Sequence, residues 1–283
     1  MPSSFKNKTI RITRRKMKKL AVAIIVAMFS ATMLVPSQAS NTKSLVIIDS
    51  YFDSKVYSNN VVCVTLKSQP CTDLVTRSEA SLSSEINHGN AMAEVAKRQN
   101  PGMSIILLRS GAASKNSVAG VNAGNFIDAL NWVSANKSRV GAVSVSRFFN
   151  GNKECSPASV NTAQFGGVTN ADAMIRSLIA SLKNDGIPVF VSTGNKQGTR
   201  IDYPACILDT VSVSTGSRNS SGNVVSINAL DSNTDYVANA SVSSYRSQLL
   251  GLIPQTTSSA TVAVASQWLT AGLLNDKVVS VTP

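Results

Sequence analysis

Histidine is all but missing from this chain: among 283 residues only His88 carries an imidazole. Any chemistry that needs such a ring to titrate near neutral pH falls to that residue. Acidic side chains are absent from residues 1–39, where Lys6, Lys8, Arg11, Arg14, Arg15, Lys16, Lys18 and Lys19 all lie. Long apolar runs are also absent. Leu20–Phe29 is followed by the polar Ser30 and Thr32, so this stretch is short for a bilayer crossing. Cysteine is sparse, and Cys63, Cys71, Cys155 and Cys206 are not spaced as a compact metal-binding cluster. No internal repeat or low-complexity tract is evident, which removes solenoid and array architectures.

The basic stretch, the apolar run and the small residues Ser37 and Ala39 together form a secretory leader, with cleavage expected after Ala39. Met17-Lys18-Lys19-Leu20 would open a compact leader by itself, so Met17 is an alternative start. Residues 1–39 are therefore expected to be a signal peptide and 40–283 a single domain, exported to the periplasm or the extracellular space. No stable membrane insertion is expected after cleavage. The eight basic residues of the leader are part of a total of 27, so 19 remain against 15 acids. That mild, dispersed excess excludes the clustered basic face of a nucleic-acid binder. The cysteines suit an oxidising compartment and allow three pairings. The nearness of Cys63 to Cys71 favours a local loop between them, which leaves Cys155 with Cys206.

What is present alternates between short apolar runs and helical periodicity. Leu45–Ile48 is wholly apolar and rich in β-branched residues, as a strand covered on both faces requires. Val61–Val64, Ser104–Leu108, Val140–Ser146, Ile187–Val191 and Thr210–Val213 read as further strands. Helices are expected over His88–Gln99, over the segment containing Phe126, Ile127, Leu130 and Val133 with Asn122 as cap, over Asp172–Asn184, and over residues 258–274. Phe148–Thr169 reads as a surface excursion, and Ser214–Ala240 as an edge hairpin or irregular strand. This order predicts a three-layer α/β fold: a mostly parallel central sheet with helices on both faces.

In such sheets, binding groups gather beyond the carboxyl ends of the strands. Asp49 follows Leu45–Ile48, Asn195 follows Val189–Gly194, His88 opens one expected helix and Ser258 heads the last. Singly, each has an ordinary structural explanation as a cap, turn or surface residue. Together they sit in motifs. Val46–Ser50, His88–Ala93, Val143–Ser146, Gly186–Asn195, Tyr203–Ala205 with Val211–Val213, Ala240–Tyr245 and Thr256–Ala265 resemble, in order, the segments of the subtilisin-like serine protease (subtilase) family. The resemblance runs over almost all of residues 44–272. It implies a subtilisin-like fold and an endopeptidase acting on a peptide or protein substrate.

By that resemblance Ser258 is the nucleophile, His88 the base that takes its proton, and Asp49 the carboxylate that holds the other ring nitrogen. Asn195 becomes the side-chain donor to the oxyanion, and the helix start at Ser258 favours the developing negative charge. Ser146, Arg147, Gly194 and Tyr203 are expected to bind substrate. The order Asp, His, Asn, Ser is not that of an esterase, where serine comes early and histidine last. Some residues depart from the pattern: Tyr51 and Thr256 stand where the family has Gly, and Arg147-Phe148 replaces Leu-Gly. An inactive subtilase-like domain that binds a peptide or protein is therefore the alternative reading. No cofactor is expected for catalysis. Calcium often stabilises the family, but no acidic loop here assigns its ligands. An inhibitory propeptide, common in the family, has no room before the first strand, so folding is expected to be unaided or helped by a separate protein.

Overall fold

The computed structural model describes residues 43–49, 52, 60–63, 84–110, 123–146, 155, 170–226, 228–239, 244–247, 251–254, 256–272 and 274–281. The expected leader, Tyr51, Cys71, Asn122 and Arg147 lie outside these residues. Through the described part runs one sheet whose strands are β1 (Ser44–Asp49), β2 (Val61–Cys63), β3 (Ile105–Arg109), β4 (Val140–Val145), β5 (Val189–Ser192), β6 (Val211–Arg218), β7 (Val224–Ser226), β8 (Tyr236–Asn239) and β11 (Val278–Ser280). Its spatial order is β11-β8-β6-β5-β4-β1-β3-β2, parallel throughout, with β7 turned back antiparallel on β6. A separate antiparallel pair joins β9 (Ser244–Ser247) to β10 (Gly251–Pro254).

Strand periodicity divides the apolar residues between two layers. Val46 and Ile48 face one core with Phe126, Leu130 and Val133 of helix α2 (Ala123–Ala135) and Ile175, Ile179 and Leu182 of α3 (Ala171–Asn184). Leu45 and Ile47 face the other, with Met92, Val95 and Ala96 of α1 (Ser84–Gln99) and Val262 to Ala265 of α4 (Thr257–Ala271). All four of these β1 side chains are fully enclosed, each contributing about 1.5–3 kcal/mol of burial. The expected three-layer α/β architecture is present.

Several boundaries differ from the sequence expectation. Helix α1 begins at Ser84 rather than His88; Glu85, Ile86 and Asn87 include no helix breaker, so the helix extends and carries His88 in its second turn. Helix α4 ends at Ala271, where Gly272 takes φ of 84°, a conformation glycine adopts freely. The hairpin expected within Ser214–Ala240 is β6–β7, but the same stretch also supplies β8, an interior strand between β6 and β11. Its four residues have little strand signal of their own and owe their state to two parallel neighbours.

The chain moves from β1 outward to β3 and β2 on one side, and to β4, β5 and β6 on the other. The crevice between the carboxyl ends of β1 and β4 is thus the switch point of the sheet, where open α/β folds bind ligands.

Candidate active site

Asp49 closes β1 at that switch point. Its backbone carbonyl accepts from Ser110 N at 2.9 Å and Ser110 Oγ at 3.0 Å, which fixes the strand end and aims the side chain at the α1/α4 face. The Asp49 carboxylate is fully buried, and its Oδ2 lies 2.7 Å from His88 Nδ1. An ionised carboxylate only accepts, so in this contact His88 Nδ1 is the donor. The ring remains 31% exposed, open enough to exchange a proton with a ligand. His88 reaches Asp49 because α1 packs along β1 with Met92, one turn further on, buried in the same core.

On the other side of the crevice, β4 runs beside β1 with Ile48 opposite Val145. Ser146 follows β4, and its amide donates to Ile48 O at 3.3 Å. Its carbonyl accepts from Ser258 Oγ at 3.1 Å. Ser146 thus links the two halves of the site: it stands about one strand spacing, ~5 Å, from Asp49 along the sheet and touches the Ser258 hydroxyl.

Ser258 is placed by the start of α4. Thr256 caps this helix in an extended conformation, φ −111° and ψ 170°, which needs no glycine. Ser259 closes a capping box: its Oγ accepts from Thr256 N at 3.0 Å and donates to Thr256 O at 2.9 Å. That hydroxyl is fully occupied. Ser258, the preceding residue, faces the crevice.

Thr257 anchors Asn195 across 62 residues of sequence. Its amide and its hydroxyl donate to Asn195 Oδ1, at 3.1 and 2.8 Å. Both partners are donors, so the oxygen of Asn195 faces Thr257, and its Nδ2 meets no acceptor among the described residues. Asn195 itself is exposed. Gly194 before it has φ of 102°, a conformation that favours glycine.

Tyr203 departs from the expectation of a substrate-binding residue. Its ring is fully buried among Ile201, Ala205 and Ile207. Burial, then the negative charge of Asp172, pushes its phenol well above the ordinary range. The Cys155–Cys206 disulfide forms, with Cα atoms 5.6 Å apart. Arg176 Nη2 donates to Cys155 O while its Nε donates to both oxygens of Asp172, at 3.0 and 3.1 Å. Residues 201–206 are thereby braced by a disulfide, an enclosed phenol and α3. Sequence reasoning did not single out Thr257 or Ser259. The Thr-Ser-Ser run was the available signal, but only the cap geometry tells the three hydroxyls apart. Among the described residues no cluster of three or more His, Cys, Asp or Glu could hold a metal ion.

No protein-family model matches the chain, and no curated protein sequence matches it. Its structure is similar to that of the prenylagaramide maturation protease PagA, with TM-score 0.51 and 13% identity over 81% of this chain and 74% of that one. It is also similar to a mutant of the PatA protease domain, with TM-score 0.52 and 10% identity over 83% and 81%. The patellamide maturation protease PatA matches with TM-score 0.50 and 11% identity over 81% and 77%. At such identities the likeness concerns architecture. By that architecture and the order of its motifs, the chain has the three-layer subtilisin-like fold.

Proposed function

We infer that this chain is an exported serine endopeptidase, and the observation that carries the reading is the buried Asp49 carboxylate 2.7 Å from His88 Nδ1 at the switch point of the sheet. That contact leaves His88 Nε2 as a base beside a crevice whose other wall holds Ser258. For attack, the Ser258 hydroxyl turns from Ser146 O toward Nε2, and His88 accepts its proton as Oγ bonds to the scissile carbonyl carbon. Asp49 stabilises the resulting imidazolium, and the imidazolium then protonates the leaving amine. Asn195 Nδ2, held by the two Thr257 donors, supplies a hydrogen bond to the carbonyl oxygen as it becomes anionic. Water repeats the sequence on the acyl-enzyme. A leader with eight basic residues and the Cys155–Cys206 bond support export to an oxidising compartment.

A second reading has its own support. Ser258 is only 2% exposed and donates to Ser146 O, as in a domain that binds peptides without cleaving them. Catalytic hydrogen bonds are often misaligned until substrate arrives, so labelling decides between the two. A sulfonyl fluoride or organofluorophosphonate should modify Ser258 in the native protein and leave His88→Ala unmodified. Absence of labelling at Ser258, with no peptide hydrolysed, overturns the protease reading in favour of the binding domain.

A further inference from the structure

One carboxylate next to this site has no part in the scheme above. A Cβ built on Gly194 would stand 2.3 Å from Asp202 Oδ2, so Asp202 fills the space beside the residue preceding Asn195. Its position is fixed: Asp202 N donates to Thr193 O at 2.9 Å, which lays residues 201–206 along the end of β5. That segment is the one braced by enclosed Tyr203 and by Cys206, so the carboxylate is held on rigid backbone.

Asp202 is half-buried, and among the described residues its carboxylate makes no hydrogen bond and no ion pair. By contrast, Asp172, Asp185, Asp209 and Asp276 each meet an Arg or Lys. Burial raises the pKa of Asp202, while the exposed Lys196 and Arg200 oppose that by smaller amounts. A carboxylate partly stripped of water and without a hydrogen bond or close ion pair is destabilised in its charged form. An arriving cation would supply the missing partner.

The position dictates which cation. A substrate carbonyl held by Ser258 Oγ and Asn195 Nδ2 would carry its own side chain two bonds away, and Asp202, set against Gly194 next to Asn195, would be within reach of a long one. We propose that Asp202 selects substrates with Lys or Arg on the acyl side of the cleaved bond, its carboxylate pairing with the cationic end of that side chain. This rests on the protease reading and adds the substrate class to it.

Two measurements on the full disulfide-bonded protein test the proposal. Benzamidinium, a small cation with a flat apolar body, should bind the native protein in calorimetry and weaken at least about tenfold in Asp202→Asn, whose circular dichroism establishes that it is folded. Binding should also fade on acidification as Asp202 becomes protonated. Peptides differing only at the residue before the cleaved bond (Arg, Lys, Leu or Glu) give the second readout. The Arg-to-Leu ratio of kcat/KM should favour Arg and fall by about 100-fold in Asp202→Asn. A ratio unchanged by that substitution, a native preference for Leu or Glu, or benzamidinium binding indifferent to Asp202 would overturn the assignment. If Ser258 is unlabelled and no peptide is cut, the protease reading falls alone: benzamidinium binding lost in Asp202→Asn would still uphold the cation site, and no binding to the native protein would remove it.

Discussion

The two edges of the parallel sheet handle charge in opposite ways. At the amino edge, Lys137 meets Asp185 at 2.9 Å and Lys183 meets Asp209 at 2.8 Å, with all four side chains between 31% and 55% exposed. At the carboxyl edge, Asp49 is fully buried against one imidazole, and half-buried Asp202 faces the Gly194 backbone with no partner among the described residues. Solvated ion pairs contribute little to stability and signify little. Carboxylates withdrawn from water cost folding free energy unless they are paired, and folds keep them chiefly where they are used. The contrast predicts large functional effects at one edge and small, structural ones at the other.

The sharpest way to break it is at the proposed triad. Ser258→Ala or His88→Ala should each lower kcat by about a millionfold, and the double variant should lower it little further, because nucleophile and base act as one unit. Additive losses in a single-turnover assay would mean that the two do not cooperate. Asn195→Ala should cost about 100- to 1000-fold in kcat, roughly 3–4 kcal/mol. A matching loss in Thr257→Val would tie that effect to the two hydrogen bonds on Asn195 Oδ1, and normal turnover in Thr257→Val would show that the remaining amide bond suffices.

Asp202 offers a test that activity cannot confuse. Its pKa in the fold is raised from the ordinary 3.8, chiefly by burial. A raised carboxylate opposes folding when ionised, so its destabilising effect is absent below its unfolded pKa and grows as pH climbs through the folded value. Asp202→Asn should therefore melt higher than the native protein at pH 7, and that gain should vanish near pH 3. Thermal unfolding followed across this range checks the sign. A native protein more stable than Asp202→Asn at neutral pH would mean the carboxylate has a stabilising partner. Gaining stability while losing cation binding is the trade expected of a functional group.

The Asp49–His88 pair was legible in sequence because both residues sit on strongly patterned elements. The apolar run Leu45–Ile48 demanded cover on both faces and so placed Asp49 at a strand end, where it meets His88. Strands β8 and β11 were not legible, since Tyr236–Asn239 and Val278–Ser280 acquire strand geometry only from their neighbours. The direction of the Tyr203 ring was not legible, because a Tyr-Pro-Ala motif carries no information about which way it faces; here it fills the core. Asp202 and Thr257 escaped for a related reason. Each acts through contact with a distant segment, Thr257 on Asn195 and Asp202 on Gly194, and no local pattern marks such a meeting.

The smallest effect belongs to the amino edge. Lys183 Nζ and Asp209 Oδ1 are 2.8 Å apart, at 54% and 40% exposure. Water screens both charges, and holding two mobile side chains together offsets part of the attraction. A double-mutant cycle built from Lys183→Ala and Asp209→Ala should give a coupling of about 0.2–1 kcal/mol at low salt. In 1 M NaCl, where the screening length falls to about 3 Å, the coupling should shrink further. Neither substitution should alter the Arg-to-Leu preference, since both lie at the opposite end of the strands from Asp202. A coupling above about 2 kcal/mol, or one indifferent to salt, would place this pair in a far drier environment than its exposure indicates, and the distinction between the two edges would then be one of chemistry alone, with burial playing no part.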